Sequence, residues 1–358
     1  MNLDKLEIKN FRNLKDIKIN LSKEINLLIG NNGQGKTNLL ESIFYLSTTK
    51  TIRTTNSNNL IRDNELFCKI KTQVLIEKRV DLEIIINKEG KILSINNNKI
   101  NKSSEFIGKI NAVLFYPGET EIFDSYPQKR RRLIDIELSK FSNKYLNNIS
   151  LYNNLLKERN KLLKEEKINY KLIETISDQM INYQKFVLLQ RNDFINKINS
   201  YINLYFYKFT KNEKKIVIQY QTILKNVEEY DNNIKKIYQD SLKKDIFIKN
   251  TNIGIHKDDY LFYIDDKLVM NYASQGQKRI ILLSFKLALV NYIYDLTNEY
   301  PILLLDDVMS ELDKNNQKVL FEIIPKELQT IITTTHLDID NKNINIIEIK
   351  NGMIMEEK

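Results

Sequence analysis

The chain has one cysteine, Cys68, which excludes a disulfide framework and any cysteine-based zinc cluster and suits a reducing cytoplasm. It has no run of about eighteen apolar residues, so no membrane span is expected. The first ten residues alternate charged and apolar side chains and lack the apolar segment of a targeting signal. Glycine and proline are scarce, at 9 and 4 in 358 residues, while Asn, Ile and Lys abound; that reads as the coding bias of an AT-rich genome, not as function. Hydrophobic residues are not lacking. At 42% they suffice for a sizeable core in a chain long enough for two or three domains, and wholesale disorder is not expected. The surplus is positive charge: the formal net charge is +9 and the pI about 9.1, a balance that favours polyanions such as nucleic acid.

The hydrophobic period changes along the chain. Leu6, Ile8, Ile17, Ile19 and Leu21 alternate with polar residues, as in half-buried strands, and Ile25 to Ile29 is a short apolar run expected of a buried strand. Phe67 to Ile76 and Val80 to Ile86 read as further strands, and Asn96 to Lys102 as a turn region. From about Arg130 the spacing becomes helical. Leu138, Phe141, Tyr145, Ile149, Tyr152, Leu156 and Leu163 predict one helix of roughly 26 residues, about 39 Å long. After a polar break at Lys164 to Lys171, a second stripe runs from Ile173 to Tyr201, and the two helices should pair antiparallel. Strands are expected again at Lys215 to Gln221, Tyr260 to Ile264 and Ile302 to Leu305, with a helix from Gln277 to about Tyr294.

One motif carries chemistry by itself. Gly30, Asn31, Asn32, Gly33, Gln34, Gly35, Lys36 and Thr37 fit G-x-x-x-x-G-K-[ST], between an apolar strand and a helix-compatible run. Glycines let the backbone turn its N–H groups towards phosphate oxygens, and the following helix N-terminus adds partial positive charge. Lys36 should reach the β- and γ-phosphates of ATP, and Thr37 should bind Mg²⁺. The acidic partner follows Ile302 to Leu305. Asp306 is the candidate direct or indirect Mg²⁺ ligand, and Asp307 is placed to orient or deprotonate the attacking water.

Weaker strings gain meaning from their order. Ser274, Gln275, Gly276 and Gln277, 30 residues before the acidic strand end when counted from Gly276 to Asp306, resemble the signature of ABC ATPases. In that family the signature of one subunit contacts the γ-phosphate held by the other. Ser310, Glu311, Leu312 and Asp313 resemble the D-loop at the ABC dimer interface, and His336 resembles the histidine that senses the γ-phosphate. The Q-loop should lie near Leu114 to Glu119, where there is no glutamine.

Taken together, the blocks resemble the RecF family of bacterial DNA-repair ATPases over nearly the whole chain. They are Asn10-Phe11-Arg12-Asn13-Leu14, the P-loop extended to Glu41, Pro127 to Asp135, Tyr152 to Asn160, Gly254 to Asp259, Ser274 to Arg279 and Leu304 to Asp313. In the fifth block Ile255 and Lys257 stand where the family has proline and arginine. Asp307 shares the family's aspartate where many ABC proteins carry a catalytic glutamate, and a carboxylate one methylene shorter is consistent with slow turnover.

The resemblance implies an α/β fold: an ABC-type head (1–115 plus 246–358) with an inserted, mainly helical second lobe (116–245) holding a short antiparallel hairpin. It implies ATP and Mg²⁺ as cofactors, weak DNA-stimulated ATPase activity, an ATP-dependent homodimer and a cytoplasmic location with no membrane partner. It also implies binding of single-stranded and gapped or duplex DNA, and work with RecO and RecR in loading RecA, in recombinational repair, replication and the SOS response.

Charge supports DNA independently of the resemblance. Lys129 to Lys171 holds 12 basic and 5 acidic residues, whereas Glu299 to Lys358 holds 6 basic and 12 acidic. Lys129, Arg130, Arg131, Arg132, Lys157, Arg159 and Lys161 are the candidate phosphate contacts, against the alternative of a solvated helical face or packing. The competing readings are an ATPase subunit of a transporter, an SMC-like structural protein and a stand-alone ATPase without DNA involvement, which DNA-stimulated hydrolysis would count against. The basic insertion argues against the first. Lys36 and Asp306, only 270 residues apart, leave no room for a long coiled coil and argue against the second.

Overall fold

The protein is seen here in a computed structural model that describes residues 1–53, 56–75, 78–222, 230–335 and 344–357. They divide into two units, Met1–Thr120 with Tyr201–Glu213 and Ser274–Lys358, and Glu121–Ser200 with Lys214–Ala273.

The first unit contains two six-stranded sheets. One is antiparallel, in the order β2-β1-β4-β5-β6-β7, from β1 (Asn2–Phe11), β2 (Leu14–Asn20), β4 (Phe67–Leu75), β5 (Arg79–Asn87), β6 (Gly90–Ile95) and β7 (Asn98–Ile100). The alternation read from the sequence is the pairing itself: Leu6 lies opposite Ile19 and Ile8 opposite Ile17, all four on the buried face. The other sheet runs β15-β14-β3-β13-β12-β8, from β3 (Ile25–Ile29), β8 (Ala112–Phe115), β12 (Ile302–Leu305), β13 (Thr330–Thr334), β14 (Ile344–Lys350) and β15 (Met353–Glu357). Its strands are parallel except at β15, so the carboxyl ends of β3, β13 and β12 share one edge. In open α/β sheets that edge is where ligands bind.

Helix Lys36–Thr48 packs against β1 and β5 of the first sheet and β8 and β13 of the second. That explains why it is buried all round, polar residues included: Ser42 and Thr48 donate to backbone carbonyls within the helix, Ser47 accepts from Ala112 N–H, and Glu41 is paired with Arg12. Helix Gln275–Thr297 begins two residues earlier and ends three later than the pattern predicts. It alone among the described residues is long and apolar enough to cross a membrane, and 72% of its apolar window is buried inside the fold, as in a core helix.

The second unit is built on helices Pro127–Phe141, Asn143–Leu162, Tyr170–Ser200 (the first part of Tyr170–Thr210) and Tyr230–Ile248. They accompany a three-stranded antiparallel sheet, β9 (Ile216–Gln221), β10 (Asp259–Ile264) and β11 (Lys267–Leu268), in the order β11-β10-β9. The single helix expected through Phe141 is two helices. Ser142 leaves the helical region at φ −133° and caps the next helix by accepting from Tyr145 N–H at 3.0 Å. The apolar stripe stays in register across the break, so periodicity does not reveal it. Lys214–Ala273 lies in the second unit and Tyr201–Glu213 in the first, unlike the division at 115 and 246 expected from the sequence. The pairing of β10 with β9 holds that later stretch with the insertion.

Candidate nucleotide site

The P-loop leaves the carboxyl end of β3 and turns into helix Lys36–Thr48. Two glycines are sterically required there. A Cβ at Gly30 would overlap the carbonyl oxygen of Ile349, and Gly35 stands at φ 112° with Leu14 against it. Lys36 Nζ donates to the carbonyls of Gly30 (2.5 Å) and Asn31 (3.0 Å), folding the side chain over the loop. Burial lowers the basicity of this ammonium group, opposed by the nearby carboxylates of Asp307 and Asp306.

The two halves of the motif meet. Thr37 Oγ1 donates to the Asp306 carboxylate, 2.9 Å from both oxygens, across 269 residues of sequence. Thr333, at the end of the strand between β3 and β12, donates to Asp306 Oδ1 at 2.8 Å and accepts from Asp307 N–H at 2.8 Å. Burial raises the affinity of the Asp306 carboxyl for its proton; the Thr333 and Thr37 hydrogen bonds and the Arg53 charge oppose that, and Asp307 adds to it. Asp307 has φ 47° and ψ 30°, and its Oδ1 is buried with no hydrogen-bond partner among the described residues. A cavity of about 220 Å³ is lined by Asn32, Gly33, Gly35, Lys36, Thr37, Asn38, Arg53, Asp306, Asp307 and Thr333. The donors facing it are hard oxygens, the set that suits Mg²⁺. No group of three or more His, Cys, Asp or Glu able to hold a metal occurs among the described residues, so phosphate and water oxygens would complete the coordination.

Residues of the Asn10–Leu14 block and of the extended phosphate loop brace one another. Arg12 forks onto Glu41 through Nε (3.1 Å) and Nη2 (3.0 Å), and Glu41 is fully buried. Asn13 donates to Gly33 O at 3.0 Å and accepts from Asn38 at 2.8 Å. Gln34 accepts from Asn351 N–H through its side chain and from Gly352 N–H (3.0 Å) through its carbonyl, so the β14–β15 turn clamps the loop. The sequence reading missed Arg53 and Thr333. Arg53 has no local signal, and Thr333 was visible only as one of three threonines before His336.

Ser274, Gln275 and Gly276 are exposed at the start of helix Gln275–Thr297 and, with the half-buried Gln277, do not line this cavity. Ser274 caps the helix: its Oγ accepts from Gln277 N–H at 3.2 Å, and the Gln277 side chain accepts from Ser274 N–H at 2.9 Å. Ser310 donates to Asp307 O at 2.9 Å, Glu311 pairs with Arg279, Leu312 is buried, and Asp313 caps helix Lys314–Ile323. Hydrogen bonds, led by that from Asn316 N–H, hold the Asp313 carboxyl below the usual carboxylate range. Where a Q-loop was sought, Glu119 is buried and paired with Lys286 at 2.6 Å. His336 lies outside the described residues.

The basic candidates of the second unit divide. Lys129, Arg132, Lys157 and Lys161 are exposed. Arg130 and Arg159 are corrected as phosphate contacts, because their guanidinium groups are internal. Arg130 forks onto Asp259 (2.7 and 2.8 Å), and Arg159 binds Asp245 (2.8 Å), Thr251 (2.7 Å) and Ser177 (2.9 Å). Arg131 is half-buried and donates to Asp258 O at 2.6 Å.

The model of the RecF/RecN/SMC N-terminal domain matches residues 2–355. The chain is 38% identical over 361 residues to the DNA replication and repair protein RecF of Streptococcus gordonii, covering 98% of this chain and 99% of that protein. With the RecF of Streptococcus suis the identity is 38% over 366 residues, covering 99% and 100%. Among solved structures, the recombination mediator protein RecF with ATP, of the RecFOR pathway, matches with a TM-score of 0.92 at 29% identity, covering 99% of this chain and 97% of that one. An Smc head bound to the C-winged helix domain of ScpA shares the fold, at a TM-score of 0.57 and 16% identity. This chain belongs to the RecF/RecN/SMC N-terminal domain family and, within it, to the RecF proteins.

Proposed function

We propose that this protein is an ATP-switched DNA-binding protein of recombinational repair and replication. The observation that carries the reading is the Thr37–Asp306 hydrogen bond, which joins the phosphate loop to the acidic strand end beside Lys36. Residues Gly30 to Thr37 bind the triphosphate through backbone N–H groups, and Lys36 moves from the Gly30 and Asn31 carbonyls to the β- and γ-phosphates. Thr37 and Asp306 would hold Mg²⁺, which when bound neutralises phosphate oxygens. Asp307 Oδ1, buried and without a donor among the described residues, accepts a hydrogen bond from the attacking water and draws off its proton. His336 senses the γ-phosphate by family likeness. Hydrolysis is weak and stimulated by DNA.

The signature residues Ser274 to Gln277 lie at an open helix N-terminus that does not line the chain's own phosphate cavity. A second copy therefore supplies them, with Ser310 to Asp313 at the same two-fold interface, and ATP closes the homodimer. Exposed Lys129, Arg132, Lys157 and Lys161 contact phosphates of single-stranded and gapped or duplex DNA, with Arg131 at their margin. The RecF relative solved with ATP belongs to the RecFOR pathway, which supports RecO and RecR as partners, RecA loading as the outcome, a part in the SOS response and a cytoplasmic location.

Gel filtration with ATP, with ADP and without nucleotide tests the reading, repeated for Lys36→Met. The expected result is a dimer formed only with ATP and absent in the variant. A monomer under every condition removes the ATP-closed dimer.

A further inference from the structure

We propose that Thr333 is a positioning residue that sets Asp306 and Asp307 together through one hydroxyl. The inference deepens the nucleotide-site reading and rests on it. Thr333 is fully buried near the end of β13, the strand separating the P-loop strand from the acidic strand. Its single proton goes to Asp306 Oδ1 (2.8 Å), and a lone pair receives the backbone N–H of Asp307 (2.8 Å). Thr330, three residues earlier on the same strand, uses its hydroxyl locally, donating to Leu328 O at 3.0 Å. Thr333, next to last in the strand, instead reaches across to the acids.

Each bond answers a defined need. Asp307 adopts the left-handed backbone region, costly for a residue with a Cβ, and its N–H sits outside the β12 ladder. The Thr333 oxygen supplies the acceptor that keeps that conformation, which in turn aims the Asp307 carboxylate into the cavity. Asp306 receives hydrogen bonds from Thr37 on one side and Thr333 on the other, so its orientation persists when Thr37 turns to a cation. Valine has nearly the shape of threonine and neither donates nor accepts. Serine keeps the hydroxyl and loses only a methyl group.

Full-length Thr333→Val, Thr333→Ala and Thr333→Ser would be compared with the parent in two assays. The first is equilibrium binding of the slowly hydrolysed analogue ATPγS in EDTA and in a Mg²⁺ titration, and the second is kcat for ATP hydrolysis. Val and Ala should bind ATPγS in EDTA within about two-fold of the parent, since Lys36 is held by the Gly30 and Asn31 carbonyls and not by Thr333. The Mg²⁺ concentration for half-maximal tightening should rise about ten-fold or more, and kcat should fall about ten-fold or more, the scale of a lost hydrogen bond to a charged group. Ser should stay within about three-fold of the parent in both. Val or Ala with the parent's Mg²⁺ dependence and kcat overturns the proposal. So does Ser with a Mg²⁺ requirement raised, or a kcat lowered, about ten-fold or more from the parent, which assigns the effect to packing, and this arm decides if neither hydroxyl-free protein folds. A parent protein that binds no ATPγS at all overturns the nucleotide-site reading instead.

Discussion

Two buried charge clusters, one in each unit, are built in opposite ways. In the second, Arg191 is 1% exposed and every donor group is used: Asp135 takes two of its nitrogens, and Asp258 Oδ2 and Ile255 O share the third. Arg159 and Asp245 repeat the pattern, with Thr251 and Ser177 in attendance. In the first unit the acid pair at the sheet edge is incomplete, for Asp307 Oδ1 is buried with no partner among the described residues, and Asp307 lines a cavity with Lys36 and Arg53. A saturated network fixes a shape. An unsaturated one leaves an acceptor for a ligand.

Substitutions can break that contrast. The largest effect belongs to the open site: Asp307→Asn should reduce ATP turnover by about 10²- to 10⁴-fold, the usual worth of a positioned base, and leave ATP binding and thermal stability nearly unchanged. Single-turnover hydrolysis beside equilibrium nucleotide binding checks it, and a Tm lowered by many degrees would contradict it. Arg191→Met should do the reverse. Removing one member of a buried, bonded set costs about 3–5 kcal/mol, read by urea unfolding, because Asp135 and Asp258 are left without their cation.

The histidine of the second unit gives a third, smaller effect. Burial pushes the His256 imidazole down to about 4 from an ordinary 6.5. Its Nε2–H donates to Thr251 O at 3.1 Å, and its Nδ1 accepts from Tyr152 OH at 2.7 Å, as the neutral ring allows. Because the unfolded chain takes up this proton first, stability should fall as pH drops from 6.5 towards about 4. His256→Gln should flatten the unfolding free energy over that window. The smallest effect is at the surface. Lys157→Gln with Lys161→Gln should weaken DNA binding a few-fold and make the log affinity–log salt slope shallower by about one unit for each lysine–phosphate pair removed. Arg159→Lys, buried between the same two positions, should change unfolding and not the salt slope.

Where local pattern and tertiary demand agree, the fold was legible. Ile25–Ile29 and Ile302–Leu305 are the strands that the apolar runs predict, because a strand flanked by parallel neighbours is mostly apolar; Asn26, the polar exception, is hydrogen-bonded to Ser22 and Asn345. The eight-residue phosphate loop was legible because backbone conformation dictates its glycines. Asn98–Ile100, by contrast, is a strand inside a stretch read as a turn, since three residues with two polar side chains carry no period. The charge count misled for a related reason. Arg130, Lys140 and Arg159 contribute to the basic balance of 129–171 and yet are buried, and composition cannot separate an internal ion pair from a surface one. Thr333 stayed hidden because its partners are 26 and 27 residues away and meet it only once the sheet has formed.

The place of β3 has a consequence for synthesis. Both its neighbours, β13 and β14, are encoded about 300 residues downstream, and the turn that clamps Gln34 comes later still. At about 5–20 residues per second, a ribosome leaves that strand with two bare edges for roughly 15–60 s. The nascent polypeptide therefore emerges with its phosphate-loop strand waiting for mates, and it cannot grip a nucleotide until its final hairpin has been made.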